Sequence, residues 1–97
     1  MRVVWLEDAR DDLSAIRRYI GRDNPAAARQ VAARITATVA RLADIPHLGR
    51  PGRWAGTREI VITGTPYLAP YRVKGGMIEV LRVFHGAQEW PEQPDDA

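Results

Sequence analysis

The sequence predicts an α+β domain: a helical hairpin packed on one face of a small, mostly antiparallel sheet, in the order β-α-α-β-β-β. Three observations carry the prediction. Two successive stretches before Pro46 place apolar residues at helical spacing and are joined by only four residues, "GRDN". The last third holds three short β-branched or aromatic runs separated by glycine and proline turns. The whole chain has 97 residues, room for one core and no more.

The elements follow in order. "RVVWL" (Arg2–Leu6) reads as a strand. The acids of "EDARDDL" suit a helix start, and Asp8, Asp11 and Asp12 are expected to act in capping. Ala9, Leu13, Ile16 and Ile20 then form one apolar face, with Gly21 as the stop. Asn24 is a good N-cap and Pro25 fits the first position of a second helix. Its buried stripe is Ala28, Val31, Ile35, Val39 and Leu42, and Pro46 ends the pattern. With so short a connection the two helices form an antiparallel hairpin.

"HLGRPGRWAGT" (His47–Thr57) reads as a loop, in which Trp54 plugs the edge of the core or stacks beside Arg50 and Arg53 on a base. In "REIVI", Ile60 and Ile62 share one face, Glu59 and Val61 the other. "YLAPYRV" is a second run, with Pro70 suggesting an edge strand or a bulge. Gly75-Gly76 suits a hairpin turn. "MIEVLRVFH" is the third run. Strict alternation puts Ile78, Val80, Arg82 and Phe84 on one face and Glu79, Leu81, Val83 and His85 on the other. One domain is expected over residues 1–91, followed by an acidic tail, 92–97, that frays. The sheet face away from the helices is expected to be open, a place for a partner.

Composition narrows the chemistry. There is no cysteine, so no disulfide framework and no thiolate metal site; two histidines and scattered carboxylates point to no metal and no cofactor. No run approaches the roughly 18 apolar residues of a membrane helix, and the acids near the N-terminus do not fit an export signal, so cytoplasmic residence is expected. Thirteen arginines stand against one lysine. Between Asn24 and Arg58, six arginines face one acid, Asp44, a charge of +5 over 35 residues. That stretch either is a solvated face or attracts an acidic partner, nucleic acid or peptide.

No phosphate loop, nucleophile elbow or metal-binding spacing is present. What remains is a set on or beside the sheet: Arg58, Tyr67, Tyr71, Arg72, Arg82 and His85. Metal-free RNA cleavage needs a base, an acid and cations for the phosphorane, and His, Tyr and Arg can fill those roles. Equally, Tyr67 and Tyr71 can pack, Arg82 can pair with Glu59 or Glu79, and His85 can bond locally.

The ordered set "VVW…A..DL..I..YI", "NPAAA", "P.LGRPGR..GTREIVI" and "Y...YRV…IEVLRVFHGAQEWP" resembles the RelE/ParE superfamily of toxins from bacterial type II toxin–antitoxin modules, over about Val3 to Pro91. The resemblance implies a small basic growth-inhibiting toxin, a plasmid-stabilisation type of protein, neutralised by a cognate antitoxin from the adjacent gene. The antitoxin wraps the toxin, often extends its sheet, and carries the complex to operator DNA. RelE-like members cut mRNA on the ribosome; ParE-like members inhibit DNA gyrase without a catalytic site. Here the strand lysines of the RelE nuclease fall at Glu59 and Val61, and its arginine after the tyrosine falls at Leu68. The resemblance therefore points to a gyrase inhibitor of the ParE branch. Under the nuclease alternative His85 is the acid/base, matching the histidine of some ribosome-dependent relatives, with Arg82 and Tyr71 beside it. Arg50, Arg53, Arg58, Arg72, Arg82 and His85 are the candidates for contact with target or nucleic acid.

Overall fold

A computed structural model describes residues 1–94. Two helices, α1 (Glu7–Gly21) and α2 (Pro25–Ala40), lie against one face of a sheet built from β1 (Arg2–Trp5), β2 (Arg50–Pro51), β3 (Arg58–Val61), β4 (Tyr67–Lys74), β5 (Met77–Val80) and β6 (Phe84–His85). The strand order is β1-β5-β4-β3-β2, with β6 also on β4. β1 runs parallel to β5 and every other pairing is antiparallel. The α+β class and the helical hairpin are as the sequence predicts.

Both helices form for the expected reasons. Asn24 Oδ1 accepts from the Ala27 N–H at 3.0 Å, and Pro25 opens α2. Ala9 and Ile16 of α1 are buried, as are Ala28, Ile35 and Val39 along α2 and Leu42 in the 3-10 turn Arg41–Ala43 that follows it, with Leu13, Ile20 and Val31 packed against the core. Gly75 and Gly76 have φ of +60° and +77°, the left-handed pair that a tight hairpin turn requires.

One strand was not expected, and another is interrupted. Arg50–Pro51, inside the predicted loop, pairs with Arg58 and Glu59. The run Met77–His85 does not stay regular. Tyr71 is opposite Val80, but Leu68 is opposite Phe84, so Leu81–Val83 place three residues against the two of Ala69–Pro70. This is a β-bulge. Pro70 explains its position. In a strand, one residue's N and C=O point the same way. Pro70 C=O accepts from the Leu81 N–H at 2.9 Å, so its absent N–H also faces the bulged segment, where no ladder bond is asked of it. Pro70 thus sits in the central strand without breaking it.

The bulge corrects the expected alternation. Ile78, Val80 and Val83 join the core under the helices, while Leu81 and Phe84 are buried outside it. Phe84 does not share a face with Val80. Nor is the far face of the sheet open. The Phe84 ring meets Trp90 edge-on at 4.9 Å, and Trp90 meets Trp54 at 5.4 Å. Gln93 of the predicted tail donates to the Ala55 C=O at 3.2 Å. A C-terminal strap therefore closes a second, smaller core. Residues 95–97, the rest of that tail, lie outside the described residues.

Candidate functional site

His85 ends β6 opposite Tyr67. Its ring stands edge-on to the Tyr67 ring at 5.8 Å. The Nδ1 atom accepts from the Ala87 N–H at 3.0 Å, and the Gln88 side chain accepts from the His85 N–H at 3.3 Å. With Nδ1 occupied as an acceptor, the neutral ring carries its proton on Nε2, the nitrogen left for an external group. Together with Tyr19, Tyr67, Gln88 and Asp12, His85 lines a cleft of about 360 Å³ between α1 and the sheet. Burial, and then the charge of Tyr19, push the Tyr67 hydroxyl above its ordinary range. Tyr19, 70% exposed, and Gln88 carry no sequence signal as site residues; the packing of α1 over the β4–β6 edge brings Tyr19 here, and the turn after β6 brings Gln88.

The other members of the predicted set are engaged elsewhere. Tyr71 is fully buried; its hydroxyl donates to the Pro46 C=O at 2.8 Å and accepts from the Gly49 N–H at 2.9 Å. A Cβ on Gly49 would stand 2.7 Å from the Tyr71 ring, so only glycine permits this clamp. Arg58 donates to the Gly49 C=O at 2.8 Å. Arg72 is buried and pairs with Glu79 at 2.6 Å, with its Nη1 left without an acceptor. Arg82 grips Asp12 through Nε and Nη2 at 2.7 and 3.0 Å, and the Val83 N–H joins the same carboxylate at 2.9 Å. That hydrogen bond raises the Arg82 pKa, with burial acting against it.

Arg82 is not paired with Glu59 or Glu79, and Asp12 is not a cap. The N-cap of α1 is Leu6, with no side-chain bond, and Asp12 lies in the second turn. Glu59 instead accepts from Arg50 Nε at 2.8 Å. Arg53 lies over the Trp90 ring at 4.2 Å, which leaves Trp54 as a buried plug and not an exposed stacking surface. Among the described residues, no group of three or more His, Asp or Glu side chains is arranged to hold a metal, and no helix is long and apolar enough to cross a membrane.

A second concavity, about 520 Å³, runs between α2 and the outer edge of β3. Arg34, Arg41 and Arg50 line it with Leu48 and Val61, which are 37% and 46% exposed. Along β3, Ile62 N–H bonds inward to the Tyr67 C=O at 3.0 Å, so by alternation the N–H and C=O of Val61 point outward. β2 covers only Arg58 and Glu59. The cleft therefore offers a short unpaired strand edge, apolar contacts and the Arg34 and Arg41 guanidiniums together, with Glu59 at its edge already held by Arg50, the features of a site for an extended acidic peptide.

Known proteins fit this picture. The model for the ParE toxin of the type II toxin–antitoxin system parDE matches residues 3–90. A candidate toxin of Sinorhizobium fredii, Y4kP, is 44% identical over 91 residues, 94% of each chain. Toxin RelE2 of Caulobacter vibrioides is 39% identical over 87 residues, 90% of this chain and 97% of that one. A solved chain of the chromosomal ParDE system of P. aeruginosa superposes with a TM-score of 0.82 at 31% identity, over 88% of this chain and 95% of that one.

Proposed function

The chain belongs to the ParE toxin family of type II toxin–antitoxin systems, and from that premise we propose that it arrests growth by binding DNA gyrase, as a protein-binding inhibitor and not as an enzyme. One observation carries the choice of target. The groups a nuclease would use on phosphate are spent inside the chain. Tyr71 is buried and doubly hydrogen-bonded, Arg72 and Arg82 are held by carboxylates, and Arg58 is held by a backbone carbonyl. A phosphorane beside His85 would find no unpaired guanidinium from this set. A supercoiling assay with purified gyrase tests the reading. Inhibition that scales with toxin concentration is expected, and full supercoiling at large toxin excess would rule gyrase out.

A second reading rests on His85 itself. It lines a cleft with two tyrosines, an acid/base in the right kind of place for ribosome-dependent mRNA cleavage. It predicts cut mRNA on toxin-bound ribosomes, and loss of cutting with His85→Ala; intact mRNA with the native chain removes it.

The cognate antitoxin is the partner that family membership supplies, and we place its extended segment in the β3-edge cleft. Val61→Pro removes the outward N–H without touching the bonds to β4. Reduced antitoxin affinity with an unchanged circular-dichroism spectrum is the expected result. Unchanged affinity would place the segment elsewhere.

A further inference from the structure

The seam between the two helices, on the side away from the sheet, takes no part in the sites above. It forms a groove of about 440 Å³. Arg17 and Arg18 of α1 and Arg29 of α2 wall it, over a floor that includes Ser14, Gly21 and Ala28. We infer that this groove binds the phosphate backbone of a nucleic-acid duplex, giving the toxin a nucleic-acid contact of its own.

The first reason is that these cations are unspent. Arg50, Arg53, Arg58, Arg72 and Arg82 each have a carboxylate, a carbonyl or an aromatic face within the chain. Arg17, Arg18 and Arg29 have no such partner among the described residues. All three are exposed, and they converge from two helices on one groove. No carboxylate lines it, and the first turn of α2, whose Pro25 sits at its end, has none either. A cluster of this kind concentrates positive potential, and a polyanion answers it.

The second reason is what the groove lacks. No large apolar side chain lines it. A peptide needs buried anchors to bind with useful affinity, and the β3-edge cleft supplies them in Leu48 and Val61. A phosphate backbone needs only cations and donors. The floor suits its approach. A Cβ on Gly21 would be only 3.7 Å from the Ala28 Cβ, so the helices are close and the floor is backbone and methyl groups. Phosphates can sit between guanidiniums there without displacing a side chain. The β3-edge cleft and the helical seam are thus sorted by their linings, one for peptide and one for phosphate.

The test is fluorescence anisotropy of the full chain with DNA and RNA duplexes of arbitrary sequence, about 20 base pairs long, across a salt series. Affinity should fall steeply with salt. R17Q/R18Q/R29Q should weaken binding at low salt by about tenfold or more, and reduce the slope of log K against log salt by up to about 2.7 on B-DNA, since each phosphate contact contributes about 0.9. R2Q/R10Q/R22Q, three exposed arginines that line neither this groove nor the β3-edge cleft, carries the same net charge and should keep most of the native slope; circular dichroism confirms that both variants fold. Binding of DNA, of RNA or of both supports the inference and identifies the source of the phosphates. Equal losses in the two variants would reduce the effect to net charge and overturn it. So would absence of duplex binding at low salt, or tighter binding of polyglutamate than of either duplex, which would make the groove a site for an acidic protein.

Discussion

Tyr71 shows how one side chain can be read correctly as important and wrongly as chemical. Its type and its place on a strand are compatible with acid/base work. Its hydroxyl nevertheless has two backbone partners and no access to solvent. Tyr71→Phe leaves the Gly49 N–H and the Pro46 C=O without it, at a cost of about 1–3 kcal/mol in a urea titration. The pH dependence has a definite sign. Burial holds the Tyr71 pKa above its ordinary 10.0, partly offset by the Gly49 hydrogen bond and the charge of Arg58. The unfolded tyrosine therefore ionises first, and stability that is complete below pH 10 falls as the pH rises through the folded value. Tyr71→Phe should flatten this alkaline loss, with the remainder due to Tyr67, which is raised for the same reason. An alkaline loss as steep in the variant as in the native chain would mean that Tyr71 is not shielded.

Between elements, the contact that organises the site joins residues 70 apart. Asp12 of α1 holds both Arg82 and the Val83 N–H, so it fixes the helix to the bulge that carries β6 and His85. Asp12→Ala would leave a half-buried guanidinium and a backbone donor unpaired, at about 2 kcal/mol in urea unfolding. Arg82→Ala should cost less, because the carboxylate keeps the Val83 N–H. The double variant should cost less than the sum of the two; strict additivity would show that the pair is not coupled. This scale also shows what the sequence could and could not reveal. Asn24-Pro25, the apolar stripes and Gly75-Gly76 act within a turn or two of themselves, and each was legible. The bulge was not, because "MIEVLRVFH" alternates acceptably in either register. What decides it is Pro70, a residue of the neighbouring strand, which cannot donate where a regular ladder would ask. The Asp12–Arg82 pair was hidden in the same way: the acids look like a helix-start cluster until the tertiary fold brings Arg82 over the second turn. His85 was found by its position, but its neighbour Tyr19 comes from α1 and Gln88 folds back from the turn after β6.

For the whole molecule, the expectation most changed is that one sheet face is free. β4, central in the order β1-β5-β4-β3-β2, is buried from Tyr67 to Arg72 on both sides. Tyr67, Ala69 and Tyr71 belong to the core under the helices; Leu68 is buried on the other side, with Phe84, Trp54 and Trp90. A strand covered on both faces reads as a continuous buried run, which is how "YLAPYR" reads. The strap that makes this possible hangs on Trp90, which touches Phe84, Trp54 and the Arg53 guanidinium at once. With this face closed, the β3 edge, the helical seam and the His85 cleft are concavities that stay open at the perimeter. Trp90→Ala should therefore do two separable things. It should lower stability by about 2 kcal/mol, less than the cost of a fully buried tryptophan because Trp90 is only half-buried. It should also uncover Phe84, raising the fluorescence of an apolar dye under native conditions, while antitoxin affinity, if it rests on the proposed β3-edge site, holds. Loss of antitoxin affinity in a folded Trp90→Ala chain would show that the strap itself is part of the partner surface.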